Sequence, residues 1–263
     1  MSYCLGIKTH DGIVLASDSR TSAGADQVRV CRKTYPFIIP GERVIVALTT
    51  GNLSLSQSVI TLLKQDFSDG KGLAAAASFY DAVRVMGDAM RRVADLDRQA
   101  LERDNFRFNV HFLLGGQIKG EEPELYLIYP QGNPIRSTPE SPFLQIGESK
   151  YGRPILDRGI SHDITTMEQA AKYALLSLDA TMRSNATVGP PVDLLLYRNG
   201  DLDVHRRRLF DGTDADWLEM HALWEQSLRK AVHDLPDIKY EAPEASAVIK
   251  RLTRTRTKKA PAP

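Results

Sequence analysis

The chain has 263 residues, a formal net charge of +1, 42% hydrophobic residues and 25% charged residues. This composition is typical of a globular protein with one sizeable core or two small ones. No run of 18 apolar residues and no secretory signal is present, so neither a membrane span nor export is expected. Two cysteines exclude a disulfide framework, and six scattered histidines lack zinc-site spacing. We therefore expect a cytoplasmic protein with no cofactor and no metal.

Strands open the chain. Alternating apolar residues predict a strand from Tyr3, Asp11-Gly12 marks a turn, and a second strand returns over Ile13 to Asp18. The run RVIVALT at 43–49 predicts a buried strand. Helical spacing then predicts helices over 54–67 and 73–101. The second helix carries an apolar stripe formed by Tyr80, Val83, Val85, Met86 and Met90. We expect this stripe to face the core rather than a neighbouring subunit.

The second half alternates in the same way. The predicted elements are strands at 106–114, 125–129 and 143–146, helices at 151–159 and 165–183, strands at 192–197 and 202–208 around Asn199-Gly200, and a helix at 215–231. The helix at 165 is expected to open with a capping box of Thr165 and Glu168. Strands grouped apart from helices favour an α+β domain over 2–232, with two sheets covered by two helical layers. Residues 233–263, rich in proline and basic at the end, are predicted to form a flexible tail.

The length of the first turn decides whether Asp18 and Ser2 share a face. A two-residue loop, Asp11-Gly12, would turn Asp18 away from Ser2. A three-residue loop that also includes His10 would place Asp18 opposite Cys4 and diagonal to Ser2, roughly 7–8 Å away. The sequence leaves both loops open, and the chemistry of the residues favours the second.

Ser2 and two charged residues offer the parts of a nucleophilic centre. If Met1 is removed, Ser2 gains a free α-amine with an ordinary pKa of roughly 7.7–8.0, which suits a base for its own hydroxyl. Lys33 could fill the gap to Asp18 and lower the pKa of that hydroxyl. Gly51, at the end of its strand, could offer a backbone N–H to a developing oxyanion.

Each of these residues also has an ordinary structural explanation. Ser2 is a common second residue, and Asp18 could form a loop ion pair with Arg20. Lys33 could be a solvated surface residue, and Gly51 could precede a helix as part of its cap. Only their joint order along the chain favours the catalytic interpretation.

Longer stretches carry a family resemblance. SYCLGIKTHDGIVLASDSRTSAG and KTYPFIIPGERVIVALTTGNLS resemble the start of proteasome-type β subunits. SDSRTSAGAD, TTGNLSLSQS, QIGESKYGRPILDR and SLDATMRSN resemble the Anbu group of bacterial proteasome-related proteins. The resemblance covers about residues 2–230. It implies the N-terminal nucleophile hydrolase fold, a four-layer αββα sandwich, and amide hydrolysis through an acyl-enzyme.

The resemblance also implies roles for individual residues. Ser2 would be the nucleophile, Asp18 and Lys33 its charged partners, and Gly51 the oxyanion donor. The segment that lines the substrate would include Thr21, Ser22 and Gly24.

Three departures from the family pattern concern the supporting residues. The usual nucleophile is threonine, whereas this chain has Ser2. The family's Gly-Ser-Gly turn is replaced by Gly147-Glu148-Ser149, so a carboxylate stands in place of a hydroxyl. MRSNATVGPPVD does not match the family's late Asp and Ser-Gly, which leaves Asn185 and Thr187 as candidates. Arg20, Glu148 and Ser149 complete the set of supporting candidates.

Several function classes follow. The favoured one is a proteasome-type endopeptidase that acts on peptides or proteins within a homo-oligomeric ring or helical lock-washer. An amidase or acyltransferase on a small amide, and a non-catalytic assembly scaffold, are the alternatives. Six basic residues among the last fourteen could bind nucleic acid, but no nucleic-acid fold accompanies them, so this class is disfavoured. No GxxxxGK[ST] loop is present, so any unfoldase would be a separate protein.

Overall fold

The computed structural model describes residues 2–22 and 28–240. The strands in these ranges are β1 (Tyr3–Thr9), β2 (Gly12–Asp18), β3 (Arg20–Ser22), β4 (Val28–Val30), β5 (Thr34–Ile39), β6 (Arg43–Gly51), β7 (Val110–Ile118), β8 (Glu124–Ile128), β9 (Pro134–Arg136), β10 (Phe143–Gly147), β11 (Val192–Arg198) and β12 (Arg206–Phe210). The helices are α1 (Leu53–Ser68), α2 (Phe79–Arg103), α3 (Arg153–Gly159), α4 (Met167–Ser184) and α5 (Ala215–His233), with a 3-10 turn at Gly72–Ala74. No helix in the described ranges is both long and apolar enough to cross a membrane.

Two antiparallel five-stranded sheets form the centre of the fold. The first has the order β10-β1-β2-β11-β12, and the second is the sequential meander β5-β6-β7-β8-β9. The short strands β3 and β4 pair with each other. The first sheet therefore brings together strands from both halves of the chain, whereas the second is built from one continuous stretch.

Three apolar clusters show how the layers stack. One lies between the second sheet and α1 and α2, and includes Phe79, Met86 and Phe112. Another lies between the first sheet and α3 and α4, and includes Leu5 and Leu178. The third lies between the two sheets. The result is the α+β sandwich of two sheets flanked by helices that the sequence predicts.

Several elements differ from the sequence prediction. The helix predicted from residue 73 begins at Phe79, where the Ser78 side chain accepts the Asp81 N–H as N-cap. The capping box of α4 uses Thr166 and Gln169, one residue later than predicted. Strand β7 begins at Val110 rather than at residue 106. Strand β12 begins at Arg206 rather than at residue 202, because Leu202 adopts a left-handed conformation with φ of 46°.

Three strands are absent from the sequence prediction: β4, β5 and β9. Strand β3 matches the substrate-lining strand that the family resemblance implies at Thr21 and Ser22. Strand β5 contains Pro36, which cannot donate a backbone hydrogen bond and usually argues against a strand. Because β5 is an edge strand of the second sheet, that missing donor is tolerated. The stripe of α2 is mostly core as predicted, since Val83, Met86 and Met90 are fully buried, although Tyr80 is half exposed.

The β1–β2 hairpin has neither of the registers considered from the sequence. Cys4 pairs with Ser17 and Thr9 pairs with Gly12, so the loop consists of His10 and Asp11 alone. The preferred three-residue loop is therefore wrong. Gly12 belongs to β2 and pairs with Arg198 of the neighbouring antiparallel strand β11. That strand lies so close that a Cβ at position 12 would lie 2.1 Å from the Tyr197 carbonyl oxygen.

The C-terminal part is a separate unit of the chain. Contacts divide the chain into residues 1–221 and 222–263. Within the second unit α5 ends at His233, and the described residues end at Tyr240. Most of the predicted basic tail, from residue 241, lies outside the described residues. The division of the protein into a domain over 2–232 and a tail remains a prediction.

Candidate active site

A cavity of about 520 Å³ opens where the start of β1 meets the ends of β6 and β10. Its lining includes Ser2, Thr21, Gly51, His111, Tyr129 and Gly147. Ser2 is half buried, so its side chain stands at a wall that solvent reaches. The cavity thus contains the predicted nucleophile, the predicted oxyanion donor and one predicted substrate-lining residue.

The main chain of Ser2 is fixed by the turn that follows β10. The Glu148 N–H donates a 2.8 Å hydrogen bond to the Ser2 carbonyl oxygen. Gly147 precedes it with φ of +85°, and a Cβ at this position would lie 2.0 Å from that same oxygen. Only glycine therefore allows the approach of Ser2 to the turn.

Asp18 is fully buried and accepts four hydrogen bonds. Its Oδ1 accepts from the Tyr3 N–H at 2.9 Å and from Lys33 Nζ at 2.5 Å. Its Oδ2 accepts from the backbone N–H groups of Arg20 and Gly189, both at 3.2 Å. The carboxylate thus ties the residue after Ser2 to Lys33 and to the loop before β11, although the hairpin places it beside Tyr3 rather than on the Ser2 face.

Lys33 is 5% exposed and lies between β4 and β5. Its Nζ donates to Asp18 and, at 2.6 Å, to the Arg20 carbonyl oxygen. Burial raises the pKa of the Asp18 carboxyl, and the nearby ammonium of Lys33 opposes that change. A buried ion pair with this many additional donors and acceptors is well compensated for its lost hydration.

Four of the supporting candidates, Glu148, Asn185, Thr187 and Arg20, make hydrogen bonds at the loop that follows α4. Glu148 is 6% exposed, and its Oε2 accepts a 2.9 Å hydrogen bond from Asn185 Nδ2. The Oδ1 of Asn185 in turn accepts from the Thr187 N–H at 3.0 Å and from its hydroxyl at 2.6 Å. Arg20 donates to the Ala186 carbonyl oxygen at 2.7 Å, so it holds the same loop.

Not every predicted residue reaches the cavity. Ser149 does not line it; its backbone carbonyl instead accepts from the Arg153 N–H at the start of α3. Thr21 lines the cavity from β3. Ser22 ends that strand, its side chain is not described, and Gly24 lies outside the described residues.

Two aromatic residues of the cavity were not predicted. His111 on β7 and Tyr129 after β8 line it, with ring centroids 6.2 Å apart in an edge-to-face arrangement. Burial lowers the pKa of His111 below its ordinary value. A single histidine within an apolar strand carries no sequence signal of a site, and only the pairing of β7 with β6 brings it near Ser2. Among the described residues no three His, Cys, Asp or Glu side chains are placed to hold a metal ion.

Known proteins share this architecture and sequence. The family model for the proteasome subunit matches residues 2–195. A proteasome subunit beta from Halorubrum lacusprofundi is 24% identical over 79% of this chain and 77% of its own length. The solved helical assembly of the Anbu complex from Pseudomonas aeruginosa is 44% identical, with a TM-score of 0.85 over 93% of this chain and 99% of the other. Anbu from Yersinia bercovieri, described as an ancestral β-subunit, is 38% identical, with a TM-score of 0.86 over 91% of this chain and all of the other.

Proposed function

The chain belongs to the proteasome subunit family, and on that premise we propose that it is an amide hydrolase of the proteasome type with Ser2 as its nucleophile. The observation that carries the proposal is the convergence of Lys33 Nζ and the Tyr3 N–H on Asp18 Oδ1, immediately behind the residue that borders the cavity. Asp18 and Lys33 do not line the cavity themselves. A buried, charged cluster bonded to the residue next to a cavity-lining serine is an arrangement expected beside an activated nucleophile.

The proposed reaction begins with removal of Met1, which the small side chain of Ser2 permits. The Ser2 Oγ attacks the substrate carbonyl carbon, and its proton passes to the Ser2 α-amine. The ammonium of Lys33 favours the developing alkoxide, and the Gly51 N–H stabilises the oxyanion of the tetrahedral intermediate. The C–N bond then breaks, the leaving amine takes the proton, and water hydrolyses the Ser2 ester.

The test compares Ser2→Ala with Ser58→Ala, which changes an exposed serine on α1. Intact mass first establishes whether Met1 is absent. We expect a lactone probe to acylate the wild type and Ser58→Ala once. We expect Ser2→Ala to remain unlabelled and to lose at least about 10³-fold in kcat/KM. Unchanged activity in Ser2→Ala, or retention of Met1 in an active protein, would exclude this mechanism.

Two substrates separate the remaining alternatives. Fluorogenic peptides measure endopeptidase activity, and a small amide such as an anilide of a single amino acid measures amidase activity. Cleavage of peptides supports the favoured endopeptidase, whereas cleavage of the anilide alone supports the small-amide enzyme. A wild-type protein that cleaves neither and resists acylation would be a scaffold.

We also propose that the chain acts as a homo-oligomer in the cytoplasm, as a ring or helical lock-washer. The support is its likeness to the Anbu chain of the helical assembly from Pseudomonas aeruginosa. Light scattering of the full chain measures this directly, and a monomer at assay concentration would contradict it.

A further inference from the structure

One wall of the Ser2 cavity is built by the second sheet. It consists of Asn109 and His111, which lie just before and on β7, and of Leu127 and Tyr129, which lie on and just after β8. The proposed hydrolysis uses none of these four side chains. A substrate held at Ser2 would nevertheless place a neighbouring group against them, because they line the same cavity.

This wall is accessible to a ligand. Asn109 is exposed, and His111 and Tyr129 are half buried, so all three present surface to the cavity and to solvent. The imidazole of His111 and the hydroxyl of Tyr129 make no hydrogen bond to another described residue, and neither group is fully buried. Their rings contact each other edge to face, with centroids 6.2 Å apart. Two ring faces or edges therefore remain available for a further contact.

The cavity carries no charged side chain among residues 2–22 and 28–240. Asp18 and Lys33 pair with each other without lining it. Burial lowers the pKa of His111 below its ordinary value, so its imidazole is neutral at pH 7 and above. The surroundings of a bound side chain would therefore be polar and aromatic but not charged.

The absence of charge distinguishes this cavity from the one at the other end of β1. That second cavity includes Ser137 and is lined by the charged residues Lys8, Glu122 and Arg136. It shares no lining residue with the Ser2 cavity. A neutral lining is therefore not a general property of the cavities of this protein.

The N-terminus of α1 follows Gly51 and is the other feature that could attract an anion to the Ser2 cavity. Its first donors are already used, because Asn52 Oδ1 accepts hydrogen bonds from the N–H groups of Ser54 and Leu55, at 3.0 and 3.5 Å. The cap thus leaves the wall without a strong preference for negative charge.

We propose that this wall selects substrates that place an uncharged aromatic side chain beside the scissile bond, with His111 and Tyr129 contacting the ring. The inference rests on the proposed function, because it names the substrate class of the same site. A third ring can join an edge-to-face pair with a favourable contact. A charged side chain would instead lose hydration without meeting an opposite charge.

The first experiment measures binding to the Ser2→Ala variant of the full chain, so that turnover at Ser2 does not interfere. Saturation-transfer NMR at pH 8.5, above the ordinary pKa of an α-amine, compares capped pentapeptides whose central residue is flanked by glycines. The central residue is phenylalanine, 4-carbamoylphenylalanine or its charged isostere 4-carboxyphenylalanine. We expect millimolar binding of the first two and at least about fivefold weaker binding of the third. Equal binding of the two isosteres, or no saturable binding of the phenylalanine peptide, would overturn the proposal.

The aromatic part of the proposal is tested with cyclohexylalanine at the central position, because its saturated ring has nearly the same size as phenylalanine. We expect about threefold or weaker binding than that of the phenylalanine peptide, and we expect Tyr129→Leu to remove the difference. Equal binding of both peptides to Ser2→Ala would refute the aromatic contact.

Charged variants assign the selectivity to the wall. In the Ser2→Ala background, His111→Lys should strengthen binding of the 4-carboxyl peptide at least about fivefold, a gain that damage to the fold would not produce. Ser68→Lys should leave it unchanged, since this exposed position lies roughly 22 Å along α1 from Leu53. Should His111→Lys fail to fold by circular dichroism, Asn109→Lys at the same wall decides. A folded lysine variant without the gain would overturn the assignment.

Cleavage by the wild type separates this inference from the proposed function. A wild type that cleaves none of the peptides, while Ser2→Ala binds them in the expected order, would contradict the hydrolase and support the ligand assignment. A wild type that cleaves the 4-carboxyl peptide with a kcat/KM at least equal to that of its carbamoyl isostere would support the hydrolase and overturn this inference.

Discussion

The two ends of β1 differ in how their polar groups are satisfied. At the Ser2 end, Asp18 accepts four hydrogen bonds and the Ser2 carbonyl is held by the Glu148 N–H. At the other end, Ser137 Oγ has no partner among the described residues, and the Lys8 ion pair is long. Fully partnered groups fix a geometry, which catalysis requires. A buried group left without a partner has instead lost its hydrogen bonds to water without replacing them.

The largest expected effect concerns the Asp18 carboxylate at the Ser2 end. Asp18→Asn leaves the buried ammonium of Lys33 uncompensated, so we expect the free energy of unfolding to fall by about 3–5 kcal/mol in urea titrations. Asp157→Asn, which breaks an exposed ion pair with Arg153, should cost at most about 0.5 kcal/mol. An Asp18→Asn variant as stable as Asp157→Asn would show that the Asp18–Lys33 ion pair does not stabilise the Ser2 end of β1.

The double variant Asp18→Asn/Lys33→Met refines this result. Removing both charges should restore part of the lost stability, because the desolvated ammonium is no longer present. A double variant less stable than Asp18→Asn alone would show that Lys33 contributes through its other contacts, such as the Arg20 carbonyl.

The next effect isolates the close approach of Ser2 to its turn. Gly147→Ala and Gly120→Ala both place alanine at a left-handed φ, but only at Gly147 would the Cβ collide with backbone. We expect Gly120→Ala to cost about 1 kcal/mol from conformational strain alone and Gly147→Ala to cost about 2–3 kcal/mol. Equal losses in thermal and urea unfolding would show that the turn can move away from Ser2.

A smaller effect compares a satisfied serine with an unsatisfied one. Ser177 Oγ lies 2.6 Å from the Tyr3 hydroxyl, near the Ser2 end, and both residues are fully buried. Ser177→Ala should therefore destabilise the protein by about 1–2 kcal/mol, whereas Ser137→Ala should be neutral or slightly stabilising because it removes a buried hydroxyl that has no partner among the described residues. A similar loss for both would remove the contrast between the two ends.

The smallest effect is a pH dependence at the Ser2 cavity. Because burial lowers the pKa of His111 in the native state, the unfolded chain takes up the proton first as the pH falls. The corresponding stability is present above the ordinary histidine pKa and is lost as the pH falls through the lowered native value. We expect His111→Gln to show a shallower decline in unfolding free energy between about pH 7 and pH 5 than the wild type. His205→Gln, at an exposed position, should retain the wild-type slope.

The hairpin shows why the sequence can propose residues for the candidate site but cannot give their geometry. The dipeptide Asp11-Gly12 predicts a turn, yet Gly12 is a strand residue packed against the Tyr197 carbonyl oxygen of the paired strand β11, 185 positions further along the chain. Local sequence cannot reveal such a contact. Asp18 still contacts the N-terminal segment, because its carboxylate accepts a hydrogen bond from the backbone N–H of Tyr3. That contact does not require Asp18 to share a face of the sheet with Ser2.

Periodicity predicted the layers well because most strands and helices have one buried face, as in α2 and β1. It failed where polar or proline-containing segments gain order from neighbours: β5 contains Pro36 at a sheet edge, and His111 joins the cavity only through the pairing of Thr50 with His111 across β6 and β7. The contact of Glu148 with Asn185 is likewise invisible locally, since it joins residues 37 positions apart through an interaction of two side chains.

The anchoring of Ser2 through its carbonyl has a consequence for how this protein can evolve. The turn at Gly147 and Glu148 holds the main chain of Ser2 through its carbonyl oxygen and makes no use of its side chain. Serine, threonine, cysteine or alanine can therefore stand there while the scaffold keeps its shape. If Ser2 is the nucleophile as proposed, a single codon change could exchange it for another nucleophile or remove it, and selection on folding alone would not detect the change.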